Sequence, residues 1–176
     1  MKYTVEVTGG ITKWFKEGSE VLHREDGPAV IWDTGTKFWY QHGQRHRIDG
    51  PSCEYLSGAR SWHQNDKYHR EDGPAREHSN GDIEWYLNGL RHRADGPAIE
   101  YANGDKRWFL NGKIHRTNGP AIEYLSDGQK RWFINDAEII CKDNEEFFRL
   151  TQNKPESCTN KIVEIDGKKY KLIEVM

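Results

Sequence analysis

The sequence predicts an all-β protein in which tandem 23-residue β-hairpin repeats stack into an elongated twisted sheet, with a small C-terminal helix plus hairpin cap. Three observations carry that prediction. His-Arg recurs at His23, His46, His69, His92 and His115, and Gly-Pro follows at Gly27, Gly50, Gly73, Gly96 and Gly119, each at a step of 23 residues. Tryptophan keeps the same step at Trp39, Trp62, Trp85 and Trp108. Only 35% of the chain is hydrophobic and 31% is charged, while aromatics reach 12%. That is too little apolar material for a thick core, and it is the usage of short strands joined by tight turns.

The units follow in order. Gly10 stands four residues before Trp14, as Gly35 stands before Trp39, so Trp14 opens a partial first copy and the array holds about six. Trp132 arrives one residue late because Asp127 lengthens the turn before it, where an insertion costs least. Asn88-Gly89 and Asn111-Gly112 accept positive φ and predict a tight turn, with His42-Gly43, Asn65-Asp66 and Asn135-Asp136 in the same slot. A second strand is expected after each Gly-Pro, since proline is tolerated at a strand's first residue but not in its interior. Period-two alternation sends the tryptophans to one face, and Tyr40, His63, Tyr86, Phe109 and Phe133 to the other. The array is therefore expected over residues 1–136 and a cap over 137–176, with a short helix from Asp143 to Leu150 and strands at Ile162–Ile165 and Tyr170–Val175 around Asp166-Gly167.

The order N-G-x-x-x-W-x-x-N-G-K-x-H-x-x-G-x-A-x-x-Y, clearest from Asn103 to Tyr124, resembles the MORN repeat over roughly residues 9 to 136. That resemblance implies hairpin units stacked in a single-layer sheet, used as a scaffold for partners. The version His-Arg-x-Asp-Gly-Pro-Ala, as at His69 to Ala75 and His92 to Ala98, stands where the family usually has His-Gly-x-Gly. It is similar to the repeats of bacteriophage and giant-virus proteins.

The residues that invite chemistry are the columns. Equivalent histidines two strand spacings apart, roughly 9 to 10 Å, are too distant to share one metal ion. Each is instead expected to bond the Asp three residues on: Asp26, Asp49, Asp72 or Asp95. The arginine column, Arg47, Arg70, Arg93 and Arg116, is the best anion-binding candidate, and pairing with neighbouring acids is its structural alternative. Tyr86, Phe109, Tyr101 and Tyr124 are the candidate aromatic contacts for a partner. No nucleophile elbow, phosphate loop or recurring Cys-His-carboxylate set is present, so neither enzyme activity nor a cofactor or metal is expected.

Lys plus Arg number 26 and Asp plus Glu 28, mixed along the chain, which offers no basic field for nucleic acid. The three cysteines, Cys53, Cys141 and Cys158, form no CxxC pair and read as reduced thiols. No run approaches the ~18 apolar residues of a spanning helix. A cytoplasmic protein is expected, in the host cytoplasm if the chain is viral. The leading expectation is a non-catalytic module that binds a host or cellular protein, as a phage-encoded inhibitor of a host enzyme or defence protein would. The alternative is a protein that sequesters a nucleotide or other anionic small ligand with the arginine column and the aromatic ladders. Self-association through the same surfaces is a third.

Overall fold

The computed structural model describes residues 2–152, together with the backbones of the strands Ile162–Ile165 and Lys168–Lys171. Thirteen strands form one open antiparallel sheet in strict chain order, without crossovers. It begins with the hairpin Tyr3–Thr8 and Ile11–Lys16, runs through pairs such as Ile99–Glu100 with Lys106–Arg107, and ends at Lys130–Ile134 and Ala137–Ile139. At ~4.8 Å per strand, thirteen strands span roughly 60 Å, so the sheet is an elongated body.

One expectation is refined. In the four interior units the first strand does not run unbroken to the turn but divides at Trp39, Trp62, Trp85 and Trp108, whereas Ile11–Lys16 and Lys130–Ile134 run through Trp14 and Trp132. The Trp108 N–H donates to the Ala121 carbonyl on one side, and its own carbonyl accepts from the His115 N–H on the other. The same pair of bonds forms at Trp14, Trp39, Trp62 and Trp85. Because the two polar groups of one residue go to different neighbours, the interior units split there into two lanes. The long sheet is one lane. The other is a row of two-residue hairpins such as Phe109–Leu110 with Lys113–Ile114. Their turns carry the positive φ that the sequence predicts, 51° at Asn111 and 82° at Gly112. Each hairpin bonds to the one before it, as the Gly112 N–H does to the Arg91 carbonyl.

The core is thin and repeats with the units. Ala98, Ile99 and Phe109 pack with Trp85, Tyr101 and Ile114; one unit on, Ala121, Ile122 and Phe133 pack with Trp108, Ile114 and Tyr124. Ile114 belongs to both, which is how one unit's core is joined to the next. The alanine after Gly-Pro is fully buried at Ala29, Ala75, Ala98 and Ala121, where its carbonyl accepts the N–H of the neighbouring Trp14, Trp62, Trp85 or Trp108.

The helix Asn144–Gln152 follows the last strand of the sheet. Asp143 caps it, its Oδ1 accepting from the Glu146 N–H at 2.8 Å, and Glu146 Oε2 accepts from the Lys142 N–H. Trp132 donates its indole N–H to Asn144 Oδ1 at 2.9 Å and is the buried tryptophan at 5% exposure. The helix thus covers the last tryptophan, where a further repeat would have placed a loop. The C-terminal strands Ile162–Ile165 and Lys168–Lys171 pair with each other as a separate two-stranded sheet, the second starting two residues before the expected Tyr170. The expected turn at Asp166-Gly167, the strand beyond Lys171 and Cys158 lie outside the described residues.

Candidate interaction surface along the loop ridge

Each His-Arg-x-Asp-Gly-Pro loop is built around its arginine. Arg70 donates through Nε to Asp72 Oδ1 at 2.8 Å, and through Nη1 to the Pro74 carbonyl at 3.3 Å and to Glu77 Oε1 at 3.4 Å. Its guanidinium carbon lies 4.2 Å from the centre of the Trp62 ring. On the opposite side of that plane is Gly73, where an added Cβ would fall 2.7 Å from the guanidinium carbon. The glycine of Gly-Pro is therefore required by close approach: it leaves room for a cation held flat on an indole. The arrangement recurs at Arg24 on Trp14, Arg47 on Trp39, Arg93 on Trp85 and Arg116 on Trp108, at 3.9 to 4.3 Å. Asn118 takes the aspartate's place in the last copy and still accepts from Arg116 Nε at 3.0 Å.

The histidines do something other than expected. The Asp is occupied by arginine, whose charge-assisted bond is the stronger. Nδ1 of His46, His69 and His92 instead meets the side chain of Asn65, Asn88 and Asn111 in the next hairpin turn, at 2.8 to 3.0 Å. It also accepts the backbone N–H of the same residue, and His23 does the same for His42 and His115 for Asn135. This places the histidine column between repeats, as a staple of the stack.

The arginines Arg47, Arg70, Arg93 and Arg116 thus lie in one row, but each is committed within its own unit. Their side chains are 21% to 25% exposed, against 83% to 85% for Asp49, Asp72 and Asp95. The ridge shows its carboxylates outward and its guanidinium groups inward. Hydrogen bonds from Arg24, Arg47 and Arg70 hold the carboxyls of Asp26, Asp49 and Asp72 below their ordinary range, so these acids are ionised at neutral pH. Between successive loops runs an open groove. One lies between the Arg47–Pro51 and His69–Asp72 segments over Trp62 and holds about 590 Å³; the next, over Trp85, holds about 650 Å³; a third, over Trp108, holds about 270 Å³.

The aromatic candidates divide. Tyr86 and Phe109, expected as contacts for a partner, are 8% exposed, because Phe109 packs against Ala98 and Ile99 and Tyr86 lies against Tyr68 and bonds Glu84. They are not surface anchors. Tyr101 and Tyr124 are half-buried against the two clusters.

Two polar insertions in the core went unforeseen. In one unit Ser52, Cys53 and His63 replace the alanine, aliphatic and aromatic residues of the others and touch one another. His63 Nδ1 lies 2.7 Å from Ser52 Oγ, its Nε2 has no hydrogen-bond partner, and burial, reinforced by the charge of Arg45, lowers its pKa to about 4. In the next, Glu84 receives Arg76, His78, Tyr86 and Arg91 at 2.8 to 3.1 Å. Burial pushes its carboxyl up, yet the bonds from His78 and Tyr86 and the charge of Arg76 bring it below the ordinary value. The signal was available as departure from the repeat, as with Arg76 in the row of Val30, Ile99 and Ile122.

Among the described residues no three His, Cys, Asp or Glu side chains converge as a metal site, and no helix is long and apolar enough to cross a membrane. Cys53 and Cys141 are unbridged. Fold and ridge together define an open antiparallel repeat sheet bearing a row of like grooves. The chain matches no protein-family model, and no curated protein matches it.

Proposed function

We propose that this chain is a non-catalytic protein-binding module whose partner lies along the loop ridge and is basic and extended. The observation that carries the reading is the groove between loops, built three times at the repeat step and rimmed each time by exposed carboxylates. Successive rims lie about 10 Å apart, close to one three-residue turn of polyproline II at ~3.1 Å per residue, so one extended segment of that form with a cation at every third position presents each to a rim in turn. The resemblance to MORN repeats supports a scaffold, and the likeness to repeats of bacteriophages and giant viruses favours a host protein as partner and inhibition as the outcome. Capture of a small anion is the weaker reading, since Arg47, Arg70 and Arg93 each already hold two carboxylates.

The test uses the substitution already present at Asn118. A triple variant, Asp49→Asn, Asp72→Asn and Asp95→Asn, removes three charges while keeping an acceptor for each arginine. A partner captured from lysate and identified by mass spectrometry should bind the variant roughly tenfold or more weakly, with a shallower salt dependence, while the melting temperature stays close to the parent's. Equal affinity at all salt concentrations would remove the ridge from the interface.

A further inference from the structure

The two ends of the sheet are finished differently. Among the described residues both edge strands pair on one side only: Ala137–Ile139 has three residues and carries the acid Glu138, whereas the first strand, Tyr3–Thr8, is bonded along its whole length to Ile11–Lys16 and leaves its other side open. It equals its partner as the longest strand of the sheet at six residues, contains no proline, and leaves Val5 at 51% and Val7 at 72% exposure. Proteins normally blunt such an edge, because a straight row of unpaired N–H and C=O groups is a template for another strand.

Which groups point outward follows from the neighbouring strand. The N–H groups of Trp14 and Lys16 donate to Ala29 and Val21, away from the first strand. Their cross-strand partners Val5 and Tyr3 are therefore the non-bonded pairs of that hairpin, and the alternation continues to Val7. The backbone groups of Tyr3, Val5 and Val7 all face the open edge.

We propose that this edge is the interface of a homodimer, in which Tyr3–Thr8 of two copies pair antiparallel about a two-fold axis at Val5. Strand pairing must set outward-facing residues opposite each other and keep side chains on their own faces. Centred on Val5, Val5 faces Val5 of the other copy, Tyr3 faces Val7 and Thr4 faces Glu6. All three outward residues then exchange both hydrogen bonds, apolar meets apolar on the face that carries Trp14, and no like charges oppose. Centring on Glu6 would set two carboxylates face to face and would oppose backbone groups already used within each copy. Self-complementarity in a single register is what selects a second copy over an unrelated strand. The two sheets become one, and the loop ridge continues across the axis.

The experiment is sedimentation of the full chain at about 100 μM, well above the dissociation constant of a standing dimer. The parent should run at twice the chain mass. Val5→Lys and Val5→Glu should each run as monomers with an unchanged melting profile, since each sets like charges opposite at the axis. An equimolar mixture of the two should recover the dimer, which a merely misfolded variant cannot do. A monomeric parent overturns the proposal. So do variants that remain dimeric, which would move the contact elsewhere, and so does an open-ended polymer, which would indicate head-to-tail pairing with Ala137–Ile139. None of these results touches the acidic ridge, so this proposal and the protein-binding reading fail separately.

Discussion

A loop arginine here serves its own fold first. Stacked on Trp62 and bonded to Asp72, Pro74 and Glu77, Arg70 leaves Asp72 as the group that meets solvent. Removing it should cost about 1 to 2 kcal/mol, through a cation–π contact of ~0.5 to 1 kcal/mol and partly screened hydrogen bonds. Gly73→Ala should cost about 1 kcal/mol in the parent, by pushing the guanidinium off the indole, and close to nothing once Arg70 is alanine. Urea unfolding of the four members of that cycle measures the coupling; additive losses would show that the glycine acts on the backbone alone. The column was legible in the sequence as a spacing, and pairing with neighbouring acids was among its readings. The direction of exposure was not legible, because Arg and Asp two residues apart look equally available until the loop closes and one turns inward.

At the scale of the element, each unit was readable wherever local chemistry decides. The Asn-Gly turns, the strand entry after Gly-Pro and the helix cap at Asp143 all follow from backbone preferences of single residues. The division of the strand at tryptophan was hidden, since it depends on where two neighbouring segments present their carbonyls. The histidine bonds were misread for the same reason, their partners lying 19 residues away. One unit also carries a titration. His63 ionises near its ordinary 6.5 when unfolded and at about 4 in the fold. As pH falls through that interval the unfolded chain takes up a proton that the native ring refuses, so stability is full above the upper value and drops towards the lower, by up to about 3 kcal/mol. Replacing Ser52 by Ala and His63 by Phe together restores the pattern of the other units, and should flatten that part of the stability–pH curve measured by chemical denaturation. A slope that survives the double change would place the titrating group elsewhere.

Across the whole molecule, stability is a sum over neighbours, because Ile114 and its like pack into two successive cores and each hairpin bonds to the one before. Trp108→Ala cuts the array between two stabilised parts and should cost about 3 kcal/mol, whereas Trp14→Ala loosens a terminal unit and should cost about half as much. Equal shifts in guanidinium unfolding would mean that the ends are coupled by something other than the stack. Period and composition made the array legible at this scale; the long open first edge was not, since it concerns what a strand lacks. Uniformity has a further consequence for anything laid along the grooves. Like sites at a constant step measure distance well and position not at all, and an occupant could slide by one unit, about 10 Å, and find the same surroundings. The third residue of each loop breaks that degeneracy. Glu25, Ile48, Glu71, Ala94 and Thr117 are all exposed, and their order is not reproduced by a shift of one unit. The array is in this respect a ruler: the repeat cuts the divisions, and these five side chains write the numerals.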